Sequence, residues 1–113
     1  MESILTSIKK MLGIAAEYEH FDPDIIMHIN SALMALTQIG VGPPEGFMIE
    51  DDMATWTDFI GEPGKLEAVK TYIYARVKMA FDPPLSSAVM ESLKRIADEY
   101  EWRLSVAVDP GES

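Results

Sequence analysis

The Asp82-Pro83-Pro84 step constrains the fold most, because two consecutive prolines cannot continue a helix and bias Asp82 out of the helical region. On both sides of it the apolar residues recur at helical spacing. Before it, Leu66, Val69, Ile73, Val77, Ala80 and Phe81 form one stripe, and Ala68, Tyr72, Ala75 and Met79 widen it. Only a narrow polar edge of Glu67, Lys70, Thr71, Tyr74 and Lys78 remains, so a mostly buried helix is predicted over 66–81. After the prolines, Val89, Met90, Leu93, Ile96, Ala97, Tyr100 and Leu104 define an amphipathic helix, flanked by the i,i+4 pairs Glu91/Arg95, Lys94/Asp98 and Glu99/Arg103. The two helices pack back to back over 66–104. Trp102 breaks the second pattern, since at about 100° per residue it points away from the face centred on Leu93.

The rest of the chain supplies helices for this hairpin to pack on. Ile4, Leu5, Ile8, Met11 and Leu12 fit a short amphipathic helix with Lys9 and Lys10 near its end and Gly13 as its stop. Such a helix is too short to be stable alone and must dock. Asp22-Pro23 is a helix start, with Asp22 as the expected cap and Pro23 in the first turn. The helix that follows turns Ile25, Ile26, Ile29, Leu33, Leu36 and Met34 toward a core and closes at Gly40. The segment 41–64 then changes character, holding four of the seven glycines and three of the seven prolines. In it Phe47-Met48-Ile49 suggests a short extended piece, Glu50-Asp51-Asp52 a turn, and Thr55 with Asp58 a cap for a brief helix through Trp56, Phe59 and Ile60. The fold class is therefore all-α: a small four-helix bundle with a long irregular, partly extended excursion between the second and third main helices. Residues 1–104 form the single helical domain, with 41–64 as an acidic insertion, and 105–113 read as an extended tail.

The formal net charge of −10 disfavours sequence-specific nucleic-acid binding and anionic lipid surfaces, which need clustered Lys and Arg. The excess is uneven: residues 41–64 hold six acids and no base, whereas 65–90 hold four bases and two acids. No run approaches the roughly 18 apolar residues of a membrane span, and Met1-Glu2-Ser3 does not begin like a secretory signal, so no membrane partner is expected. The absence of cysteine removes disulfides, thiolate metal sites and cysteine nucleophiles.

No catalytic, cofactor-binding or metal site can be read from the residues. His20 and His28 are eight apart and have no Cys or suitably spaced Glu beside them. Glu50-Asp51-Asp52 lacks the alternating oxygens and glycine of a calcium loop, and Gly40-Val41-Gly42-Pro43-Pro44 lacks the spacing and lysine of a phosphate loop. Glu91-Ser92-Leu93 resembles the Asp-Ser-Leu attachment triplet of acyl-carrier proteins, but Ser92 falls inside a helix rather than at its start. Met11, Met34, Met79 and Met90 are assigned to core faces, which accounts for half of the eight methionines. Binding surfaces remain. Neither Trp56 nor Trp102 is placed by periodicity on a bundle face, and aromatics concentrate at interface hot spots. They are read as interface candidates together with Val106 and Val108 of the tail and with Glu50, Asp51 and Asp52. For Trp102 the alternative is a tail folded back over it.

The ordered set of signals resembles the small head-tail connector proteins of tailed bacteriophages. It comprises Phe21-Asp22-Pro23-Asp24-Ile25, a helix closing on Ile39-Gly40, an insertion, the Leu66/Val69/Tyr72/Arg76/Phe81 helix ending in Asp82-Pro83-Pro84, and Glu99-Tyr100-Glu101-Trp102-Arg103-Leu104. It covers roughly residues 3–104, although 41–64 is longer than the linker expected in that family. The resemblance implies a four-helix structural virion protein, neither an enzyme nor a cofactor carrier. By the same resemblance it would self-associate into a ring at the head-tail interface, bind the portal protein and the next head-completion or tail protein, and reside in the host cytoplasm during assembly. The alternative is an acidic helical regulator of a host or phage protein, such as a DNA mimic.

Overall fold

Five helices carry the chain in the computed structural model, which describes residues 2–61 and 63–108, the side chains of Pro63, Ala107 and Val108 excepted. They are α1 (Ile4–Leu12), α2 (Asp22–Gln38), the one-turn α3 (Trp56–Phe59), α4 (Pro63–Phe81) and α5 (Ser87–Val108). The architecture is all-α, four main helices with an irregular excursion between α2 and α4. Among the described residues the only β pairing is an isolated antiparallel bridge between Ser3 and Thr55.

The helix α4 is the hub, packing on α1, α2 and α5. Its two apolar stripes serve different neighbours. Tyr72, from the second stripe, is fully buried and donates its hydroxyl to Glu101 Oε1 on α5 at 3.0 Å, while Arg76 donates to the Tyr72 oxygen at 2.8 Å. Phe81, ending the other stripe, meets Phe21 at the start of α2 edge-on, with ring centroids 5.4 Å apart. Thus α2 and α5 flank α4 from different sides. Val69, Ile73 and Val77 complete a core with Ile4, Ile8, Ile25, Ile29, Leu33 and Leu36, each nearly or wholly inaccessible.

Local chemistry fixes the ends. Ser3 caps α1 by accepting the Thr6 N–H at 3.1 Å, and Gly13 stops it in the left-handed conformation at φ +84°. Asp22, expected to cap α2, does not: Phe21 takes the cap position, and the Asp22 carboxylate instead meets Lys9 Nζ at 2.8 Å. Lys9, near the C-terminal end of α1 as expected, is 2% exposed and also donates to the carbonyls of Ala16 and Tyr18 at 3.0 and 2.7 Å. The buried ammonium gathers the α1–α2 connection around itself.

The excursion is packed rather than loose. Val41, Ile49, Trp56, Phe59 and Ile60 are buried in it. Phe47-Met48-Ile49 forms no strand, because Ile49 finds its partner in a side chain: Asn30 on α2 accepts the Ile49 N–H at 2.8 Å and donates to the Ile49 carbonyl at 3.0 Å. Gly42, at φ +87°, lies under the Phe59 ring, where a Cβ would come within 2.4 Å of the ring carbon Cε1. At the base of the excursion Thr55 N–H donates to Asp58 Oδ2 at 2.9 Å, the expected cap of α3, and Ile4 N–H donates to the Ala54 carbonyl at 3.0 Å.

Beyond the prolines Ser86 starts α5, its hydroxyl accepting the Val89 N–H at 3.3 Å. Of the expected flank pairs only Glu99/Arg103 forms; Lys94 turns instead to Glu91, and Arg95 to the Ser92 hydroxyl. The expected extended tail is corrected over 105–108, where α5 continues. Residues 109–113 lie outside the described residues.

Candidate protein-interaction surfaces

The two tryptophans part company. Trp56 is corrected from interface candidate to core: it is 1% exposed, and its indole N–H donates to the Ser7 hydroxyl at 2.9 Å. Ser7 in turn donates to the Ser3 carbonyl at 2.7 Å, so the buried indole is polar-satisfied through α1. Lys70 lies over the Trp56 ring, 5.7 Å from its centroid. Trp102, by contrast, is 67% exposed, and over 106–108 the backbone continues α5 rather than folding back over it. Val106, one turn on, is 48% exposed and continues its stripe. The Val108 side chain lies outside the described residues.

Glu50, Asp51 and Asp52 are all exposed, with Asp51 Oδ1 accepting the Met53 N–H at 2.9 Å. Together with Glu19 and Asp22 they line an open cavity of about 500 Å³ whose floor includes Leu5 and Ile26. Acidic groups from two stretches distant in sequence thus converge on one wall. Glu2 gathers charge differently. Burial opposes its ionisation, but the neighbouring Ser7 hydroxyl and the Lys70 ammonium outweigh it and hold its carboxyl below the usual range. The Lys70–Glu2 contact is 3.3 Å long and joins the N-terminal segment to α4.

A further surface comes from residues assigned to the core. Met34 is 59% exposed, a correction of its expected inward position, and Met11 is likewise on the surface. The sequence signal was its stripe: Met34 follows Met27 by seven residues and shares its side of α2 with Ser31, opposite Ile29 and Leu36. In the structure Met34 and Thr37 face Glu45, Phe47 and Met48 across an apolar groove of about 450 Å³. His28 lies beside Phe81, with ring centroids 6.4 Å apart, and His20 is exposed beside Tyr18 and Phe21. Ser92 sits on the flank of α5, well inside that helix.

The molecule therefore presents a helical hub, two exposed apolar surfaces and an acidic wall. A sequence model of the phage connector protein family matches residues 4–111, and the match spans all five helices. The chain belongs to the phage connector family. No curated protein and no solved structure matches it. The family is structural rather than enzymatic, and its members are components of the phage particle that contact other head or tail proteins. Among the described residues no helix is long and apolar enough to cross a membrane.

Proposed function

We propose that this connector joins the capsid portal to the tail, docking beneath the portal as a ring of identical subunits and offering its lower surface to the next head-completion or tail protein. The family match across all five helices carries this reading. The exposure of Trp102, Val106, Met34 and Met48 supports it, because large apolar side chains left in water on a chain that buries Trp56 mark contact surfaces. Both surfaces are small, so the free chain is monomeric or weakly associating and the cyclic partner templates the ring.

The acidic wall has a use in such a ring. If Glu50, Asp51 and Asp52 line the channel, they repel the DNA phosphates that pass and keep the genome from sticking. Glu50→Gln, Asp51→Asn and Asp52→Asn together are then expected to slow DNA ejection from assembled particles, whereas an unchanged ejection rate would move the wall off the channel.

The test of the connector reading is sedimentation of the purified chain with portal particles from the same phage. Many copies per portal are expected. A chain that stays in the supernatant, and instead binds a purified basic DNA-binding protein in a salt-dependent manner, would replace this reading with that of an acidic regulator.

A further inference from the structure

We infer that neighbouring subunits join head to tail, with the Trp102/Val106 ridge of one copy seated in the Met34/Phe47/Met48 groove of the next. This inference rests on the ring reading above and names the surfaces that build the ring. Three observations carry it.

The first is shape. Trp102 and Val106 stand one turn apart on α5 as a convex apolar ridge, while Met34, Phe47 and Met48 enclose a concave apolar one. Methionine side chains adapt readily to an inserted aromatic ring. The second is placement. The ridge faces away from α4 on α5, the groove opens on the side of α2 opposite its buried face, and α2 and α5 flank α4 from different sides. Because they lie on diverging faces, ridge and groove cannot meet each other reciprocally across one two-fold axis. They make a heterologous contact, which propagates and closes into a ring when the rotation allows.

The third is charge. Glu45 stands at the lip of the groove, and no cation pairs with it among the described residues. Arg95 is two turns before Trp102 on the same stripe of α5; among the described residues its guanidinium meets the Ser92 hydroxyl at 3.3 Å and no carboxylate. Seating the ridge in the groove brings these opposite charges to one rim, where they select orientation more than they add affinity. On a chain of net charge −10, that selection matters.

The chain contains no cysteine, so disulfide trapping can be read without background. Full-length Met48→Cys/Val106→Cys protein is oxidised alone and on portal particles, beside each single variant and an equal mixture of the two. The expected result is a ladder of oligomers from the double variant, dimers only from the mixture, and no disulfide product from either single variant. Trp102→Ala is expected to weaken self-association by about 30-fold, the size of an interface hot spot, with no change in the melting of the monomer. Glu45→Lys and Arg95→Glu should each weaken it, and their combination should restore it. Efficient dimers from Val106→Cys alone would indicate a two-fold contact and overturn the inference. Rings that form on the portal without a Met48–Val106 crosslink, or a Met48→Cys chain that crosslinks to the portal protein instead, would overturn this contact and leave the ring standing. Absence of any oligomer, in solution or on the portal, would overturn the ring with it.

Discussion

Lys9 shows what a single residue contributes to this fold. Its ammonium is withdrawn from water and held by two carbonyls and the Asp22 carboxylate, so the bonds offset a desolvation penalty of several kcal/mol. Lys9→Met keeps the stem and deletes the charge, leaving Asp22 and two carbonyls unpaired. A loss of about 3–5 kcal/mol is expected in urea unfolding. A loss below about 1 kcal/mol, the level of an exposed ion pair, would contradict the clamp. Tyr72 gives a pH signature. Burial raises its pKa, the Arg76 bond opposes the rise, and Glu101 adds to it. Above the ordinary tyrosine value the unfolded chain loses this proton while the folded chain keeps it, so stability falls as pH rises past about 10. Tyr72→Phe is expected to remove that part of the alkaline decline, read as a shallower fall of the melting temperature than in the parent. Neither role was legible in the sequence. Lys9 looks like a dipole-compensating helix end because its partners are carbonyls of an irregular connection, which leave no periodic mark. Trp56 looks unplaced because one helical turn is too short to show a face, and its burial depends on Ser7, far away in sequence.

At the scale of elements, patterns repeated over several turns and strong local stop and cap signals read true, whereas the Asp22 cap and the end of α5 did not. The hairpin of α4 and α5, the stop at Gly13 and the Thr55/Asp58 cap follow from strong local signals. The two stripes of α4 were visible, but not that each serves a different neighbour. The end of α5 was misread because Val106 and Val108 favour strands, yet no breaker interrupts the helix before Pro110, and Leu104 anchors its last turns at 2% exposure. The segment 47–49 joins no strand because the Asn30 amide, which stands in for a neighbouring strand, lies 19 residues away, too far to be legible in the local pattern. Asn30→Ala should therefore release this segment without unfolding the bundle. Hydrogen exchange at Ile49 is expected to accelerate by at least tenfold, while amides in α4 keep their protection. Uniform loss of protection across α4 would show instead that the excursion and the bundle unfold as one unit.

For the whole molecule, burial and exposure divide the work. α4 is enclosed by three helices and supplies rigidity, while the outward sides of α2 and α5 and the wall around Glu50–Asp52 stay in water with groups that need partners. Composition pointed to this division only coarsely: the concentration of acids in 41–64 was plain, but Glu19 and Asp22 join them only through folding. The groove at Met34 was hidden for the same reason, since four of its six lining residues come from the excursion. A ring between portal and tail is the working form proposed for this member of the phage connector family. Electron cryomicroscopy of portal particles saturated with the chain tests it most directly. The expected result is a closed ring of chains on the tail-facing side of the portal, sharing its axis. Chains missing from that position, or bound singly elsewhere on the particle, would contradict it.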